Sequence, residues 1–339
     1  MSDLSGTVPV LLKLIRQNTS LSVVSDFLKS QELHYSASKW DDMIEKRIRP
    51  ALDEGEITTN QLESLLISSE EFGRQHIFLY KCSNTTANEL MDEERVAKAA
   101  SDTGLKEVYE GSKILDAPGS LTISDIRFDE IENKKILVIK LVETKWREEF
   151  AGEEADGGYI IKRWRKISER AVNVVRLHQD GLLEIRLASH KTPSSYFDEC
   201  NKIKKAIEVV LSTSSFREVS LSKVKNTLLN DKSALKEKIR FTNATLKNDR
   251  GNTIRAAVGS PKDDLSDDSS VNDSMDNFLQ NSGYCDGTNI WFIKNDGSEV
   301  PRSDIHVVLQ GEMNEFVVPG NCINLDYEYV LKEIKQLNS

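Results

Sequence analysis

Between residues 7 and 70, apolar side chains recur every three or four positions. Val8, Leu11, Leu12 and Ile15 form one stripe, and Leu21, Val24, Phe27 and Leu28 form the next. That period places each set on one face of a helix. Ser36 or Ser38 offers an oxygen to cap a third helix, which carries Trp40, Met43, Ile44 and Ile48 and stops before Pro50. Thr58 or Thr59 does the same for a fourth helix with Leu62, Leu65 and Leu66. Short helices in this order predict a small bundle of the kind used by protein-interaction modules.

The period then shortens. Residues 74–82, RQHIFLYKC, hold an aromatic-rich apolar run that predicts a strand. Residues 84–112 return to helix-like composition, ending near Gly104. Residues 121–128 and 135–146 alternate, and the acidic, glycine-containing stretch 150–158 predicts a loop. Further strands are expected over 159–167, 170–178 and 182–188, the last two joined by a hairpin turn at Gln179-Asp180-Gly181. Closely spaced strands of this kind favour an antiparallel meander. Thr192-Pro193 then opens a helix with Tyr196, Cys200, Ile203, Ile207 and Val210 on one face. A second helix, 220–238, turns Leu221, Val224, Leu228, Leu235 and Ile239 inward. A hairpin follows at 239–258, turning at Asn248-Asp249-Arg250-Gly251.

Residues 260–276 hold six aspartates and almost no bulky apolar side chains, the composition of a disordered linker. Beyond it, 288–294, a turn at Asn295-Asp296-Gly297, 304–310 and a helix over 326–337 make a small β-rich unit. The pattern therefore predicts an α+β protein in several parts. These are a helical module at 1–72, a central antiparallel sheet with two helices at 73–258, an acidic linker at 259–280 and a C-terminal β unit at 281–339.

Composition adds a strong asymmetry. Of 339 residues, 38% are hydrophobic and 29% charged, a globular profile. No apolar run reaches the ~20 residues of a membrane helix, and no secretory signal precedes Pro9. Cys82, Cys200, Cys285 and Cys322 lie far apart without zinc spacing, which suggests a reducing cytoplasm, with the nucleus as the other possibility. The net charge of −10 is unevenly spread. Residues 1–159 carry 19 Lys and Arg against 30 Asp and Glu, and residues 256–339 carry 5 against 15. Residues 160–255 carry 21 against 10, a net of +11. A basic segment inside an acidic chain is a candidate footprint for a polyanion. The alternative is self-complementation, with acidic flanks docking on the basic middle. The aspartate tract would then act as an internal polyanion.

Two stretches suggest chemistry. In YIIKRWRKISERAVNVVR (159–176), strand alternation puts Lys162, Trp164 and Lys166 on one face and Arg163 and Arg165 on the other. Such a hairpin can grip phosphates while the aromatic stacks on an unpaired base. Lys202, Lys204 and Lys205 extend the basic set. The competing reading packs Trp164 in a core and pairs the cations with the acidic loop Glu148–Asp156. The second stretch is Glu143-Thr144-Lys145 after the apolar run Ile136–Val142, with Asp125 or Asp129 upstream. This resembles the PD-(D/E)xK nuclease core, in which two carboxylates hold magnesium and the lysine activates water. Here more strands follow, where that core leads to a crossover helix. His34, His76, His178, His190 and His306 are dispersed, and there is no GxSxG elbow, P-loop or GxGxxG.

The order of parts resembles the centromere protein N family: a helical N-terminal module closed by EEFGRQHIFLYKCS, then strands and basic residues, then a small β-rich end. The likeness is one of layout over about two-thirds of the chain, and no functional residue of that family falls on a matching position. It implies a non-catalytic protein that holds DNA or a nucleoprotein through a basic groove. The sequence thus predicts a cofactor-free subunit that contacts the DNA or RNA backbone through 160–255. Protein partners or self-association would use the N-terminal helices or the C-terminal β unit, and no membrane is involved. The alternatives are a magnesium-dependent nuclease and a pure protein-complex subunit, for example of a defence system.

Overall fold

The structure, a computed structural model, describes residues 4–190, 195–295, 297 and 299–339. It is α+β, with a large antiparallel sheet and several helices. The chain divides into two compact units: residues 1–72 with Ile114–Asp116, and Gly73–Lys113 with Ala117–Ser339.

The first unit is helical. It holds α1 (Leu4–Asn18), α2 (Leu21–Ser30), α3 (Trp40–Met43), a π-turn at Ile44–Ile48, α4 (Arg49–Asp53) and α5 (Thr59–Glu71). Its core is Leu11, Leu12, Leu14, Ile15, Val24, Leu28, Met43, Ile48, Leu62 and Leu66. Ser20 caps α2, and Thr58 with Gln61 forms a capping box on α5. Two expectations need correction. Neither Ser36 nor Ser38 caps the third helix, which starts after Lys39 without a side-chain cap. Pro50 does not end it either, because the proline sits in the first turn of α4, where its missing N–H is harmless.

The second unit is built on one sheet. In chain order it holds β1 (Gly73–Lys81), α6 (Asn84–Leu90), α7 (Glu93–Asp102), α8 (Lys106–Glu110), β2 (Thr122–Ile131), β3 (Lys134–Asp156), β4 (Tyr159–His178) and β5 (Leu182–Ala188). It continues with α9 (Tyr196–Ile207), β6 (Arg217–Glu218), α10 (Ser222–Asn230), α11 (Lys232–Leu235), β7 (Ile239–Asn248) and β8 (Thr253–Ala257). The last elements are α12 (Ser269–Gln280), β9 (Gly283–Phe292), β10 (Ile305–Leu309), β11 (Glu315–Asn321) and α13 (Asn324–Leu337). The strand order is β2-β3-β4-β5-β1-β11-β10-β9-β7-β8, with β6 on the free part of β1, and every pair is antiparallel.

The pleat sorts side chains to two faces. Phe78, Tyr80, Ile126, Ile139, Leu141, Val175, Leu177 and Ile185 form a core with Ala87 of α6, Val96 of α7 and Ile203 and Ile207 of α9. The opposite face carries Ile136, Val138, Val142, Val172 and Val174. On that face Glu184 and Arg186 are fully buried, and the Tyr327 hydroxyl of α13 donates to Glu184. No helix among the described residues is long and apolar enough to cross a membrane.

Two boundaries differ from the expectation. The C-terminal strands are not a separate unit, because β11 pairs with β1 from Gln75↔Val318 to Phe78↔Glu315. The aspartate-rich stretch is not a featureless linker. Leu265 and Met275 are buried, Asp264 accepts from the Phe241 amide at 3.2 Å, and Asp268 caps α12. Thr192-Pro193 lies outside the described residues, and α9 is capped by Ser195. Asp296, in the turn expected at 295–297, also lies outside them.

All four cysteines are free; three are buried and Cys322 is half-buried. Burial pushes the thiols of Cys285 and Cys322 up to about 12 and raises those of Cys82 and Cys200. Little thiolate forms at neutral pH. The folded protein is therefore expected to react slowly with an aromatic disulfide reagent, and the unfolded chain to react promptly at all four positions. A fast-reacting thiol in the folded protein contradicts this burial.

Candidate interaction site: a protruding β-arm

β3 and β4 are far longer than the strands that flank them. β2 covers β3 only from Lys134 to Val142, and β5 covers β4 only from Val174 to Leu177. Their mutual pairing continues from Glu143↔Ala171 to Asp156↔Tyr159. The two strands therefore leave the sheet as a ribbon, Trp146–Ser168, about 30 Å long. The stretch expected as a loop, 150–158, is strand as far as Asp156, with one bulge between Phe150 and Gly152. Only Gly157 and Gly158 turn, both at positive φ, as a tight hairpin demands.

The base of the arm is anchored on the helical face. Glu143 accepts from Lys202 of α9 at 2.6 Å and from Asn173 at 3.4 Å. Lys145 donates to Glu199, which also meets His190 at 2.9 Å. Tyr196 stacks on His76, whose Nδ1 lies 2.6 Å from Glu315. Each charge here has a partner, so the network pins α9 to the sheet.

Above this base the two faces of the ribbon differ. One carries a ladder of ion pairs: Arg147–Glu169 at 2.6 Å, Arg165–Glu149 at 2.8 Å and Arg163–Glu154 at 2.5 Å. The other is aromatic. Phe150 meets Trp164 edge to face with centroids 5.6 Å apart, and Lys166 lies 4.5 Å over the Trp146 ring. Register sets Glu148 opposite Lys166, Phe150 opposite Trp164 and Glu153 opposite Lys162 on this face. Both tryptophans are more than half exposed, and Tyr159 and Ile160 at the tip are 77% and 70% exposed. Residues 146–168 contain five basic and five acidic side chains and are neutral overall.

The expected site residues are thus distributed as follows. Lys162, Trp164 and Lys166 do share a face. Trp164 is not core. Arg163 and Arg165 are bound by the acidic strand beside them. Lys202 lies on Glu143 at the arm's base, seven residues of β3 (about 24 Å) from the Phe150–Trp164 pair. Lys204 covers the Tyr80 ring at 3.7 Å, and Lys205 is exposed on α9. These lysines do not join the arm's cations in one groove. Six further cations of the basic segment meet the acidic tail. Lys232 pairs with Asp276, Lys236 with Asp267, Lys238 with Glu333, Arg240 with Asp304, Lys247 with Asp286 and Arg176 with Glu328.

The nuclease constellation is divided by the sheet. Asp125 and Asp129 register with Lys140 and Ile136, on the face of Val138 and Val174. Both bind Arg127, at 2.5 and 2.9 Å. Glu143 and Lys145 lie at odd positions of β3 and face α9 on the other side. Among the described residues no three His, Cys, Asp or Glu side chains are grouped to hold a metal ion.

No family model matches the chain, and no curated protein matches it.

Proposed function

We propose that this protein is a non-enzymatic assembly subunit that holds its partner through the β-arm. The observation that carries this reading is an exposed aromatic face on a ribbon with no net charge. Apolar surface of this kind, rimmed by charge, is the mark of an interaction site. The neutrality of the arm and the pairing of six cations of the +11 segment with the acidic tail weigh against a broad polyanion footprint. The likeness of layout to the centromere protein N family is consistent with a non-catalytic holding role.

A second reading rests on the same face. Trp146, Phe150 and Trp164 offer stacking platforms, with Lys162 and Lys166 beside them, and this combination suits an unpaired nucleic-acid strand. One variant separates the two readings. Trp146–Ser168 is replaced by a two-residue Asn-Gly turn joining Lys145 to Glu169, which leaves the sheet's own pairing intact. In extracts of the source cells, the full chain is expected to migrate in a larger complex and the arm-shortened chain to migrate alone. Equal migration of the two contradicts the proposal. Binding to a labelled single-stranded oligonucleotide that depends on the arm and weakens steeply with salt would favour the second reading.

A further inference from the structure

The aromatic face of the arm has a charge pattern that selects its occupant. On this face Glu148, Phe150 and Glu153 project from β3 and Lys166, Trp164 and Lys162 from β4, with Trp146 next along β3 towards the base. We infer that the face is covered by the same face of a second copy of this chain, with the two arms side by side and parallel about a two-fold axis along their length. The inference rests on the proposal that the arm is the contact element. Rotation about that axis lays one face on the other and exchanges their edges. Glu148 of one copy then stands over Lys166 of the other, Glu153 over Lys162, and Phe150 over Trp164. An isologous contact needs such self-complementarity.

Turning the axis across this face, or pairing either strand edge with itself, places like charges together. A two-fold axis across the arm lays the acidic edge on the acidic edge. Pairing the open edge of β4 with itself sets the row from Lys162 to Lys166 beside its own copy, and pairing β3 with itself does the same for Glu148–Asp156. Charged edges of this kind block strand addition. Beyond Arg147–Glu169 the ladder face also has acidic β3 and basic β4 rows, but its charges already pair within one arm, so the aromatic face, with apolar area left to bury, is the one a copy covers.

The contact is small. A ribbon about 30 Å long and two strands wide offers about 300 Å² per copy, below the ~800 Å² of a standard interface. Association is therefore weak and concentration-dependent, and it tightens when other contacts hold the copies together.

The test is sedimentation of the purified full chain from low micromolar to several hundred micromolar. Wild type is expected to pass from monomer to dimer across that range. One variant has a wholly basic face (Glu148→Lys with Glu153→Lys), and a second has a wholly acidic one (Lys162→Glu with Lys166→Glu). Each alone is expected to stay monomeric, and an equal mixture to regain the dimer. Trp164→Ala, which keeps every charge, is expected to weaken the dimer at least tenfold. A wild type that stays monomeric throughout overturns the inference, as does a dimer that none of these changes affects. If the arm-shortened chain still leaves its cellular complex while the purified chain is monomeric, the arm's occupant is another protein and the proposal on function stands without this inference. If monomeric wild type binds single-stranded oligonucleotide through the arm, the occupant is nucleic acid and the inference also fails.

Discussion

Glu184→Leu is expected to destabilise the sheet unit by about 3–5 kcal/mol, the usual consequence of removing one partner from a buried ion pair. Glu184 and Arg186 are fully buried, and their side chains meet at 3.0 Å. Arg176 lies 3.5 Å from Glu184 on one side, and His178 and the Tyr327 hydroxyl hydrogen-bond to its carboxylate. Arg186 also lies 3.7 Å from the centre of the Tyr327 ring. Leucine fills most of the space but leaves the Arg186 charge uncompensated. Glu184→Gln keeps hydrogen-bonding atoms and is expected to lose less. Urea unfolding followed by the sheet signal measures both, and an unchanged midpoint for Glu184→Leu would refute the account of this network.

The same group predicts an acid limit. Burial alone pushes the Glu184 carboxyl up, but the charges of Arg186 and Arg176 and the His178 hydrogen bond outweigh it and hold the carboxyl well below the ordinary range. Asp180 is also pushed up by burial, yet Lys335 and the Leu182 amide bring it to about 2. A carboxylate whose folded pKa is depressed contributes stability above its unfolded pKa and loses it as pH falls through the folded value. The melting temperature is therefore expected to drop from about pH 4 down to about pH 2. In Glu184→Gln that drop should be shallower.

Gly73→Ala is the second large effect. Gly73 has φ +79°, and a methyl group there would lie 2.4 Å from the Gly320 carbonyl oxygen and 2.6 Å from the Cys322 amide nitrogen. These are backbone atoms of the strand that joins the C-terminal half of the sheet to β1, so they cannot move aside alone. Gly251 has the same φ of +79° but nothing within 4 Å of the added carbon. It serves as the control. Gly251→Ala is expected to cost only the backbone strain, about 1 kcal/mol, and Gly73→Ala about 2–4 kcal/mol, because crowding adds to strain. Equal losses at the two sites would contradict the close packing of β11 on β1.

Much of this fold is local and could be read from the pattern of residues. The stripes Leu11–Ile15 and Val24–Leu28, the cap at Thr58, the hairpin at Gln179-Asp180-Gly181 and the turn at Asn248–Gly251 depend on neighbours a few residues apart. The joining of β11 to β1 depends on residues more than two hundred positions apart, so strands near the C-terminus read as a separate unit. The aspartate tract misled for a related reason. Its charge hides Leu265 and Met275, whose burial needs the surrounding structure. Within the arm, Lys162, Trp164 and Lys166 were correctly placed on one face, since alternation alone determines that. What stayed hidden was the partner strand. Gly157-Gly158 between an acidic and a basic stretch is a hairpin signal, and the matching of EEFAGE with KRWRK is legible as cross-strand pairing. Their glycine and acid content read as a loop instead. The nuclease motif failed on parity. Glu143 and Lys145 share a face, but the register of β2 on β3 sends Asp125 and Asp129 to the other one.

The most direct test of the central claim is hydrogen exchange on the chain within its native complex and on the dilute purified chain. The account predicts slowed exchange in the complex for amides of Trp146–Ser168, with the rest of the sheet unchanged. Equal exchange along the arm in both states, with protection appearing elsewhere, would show that the arm is not the contact element.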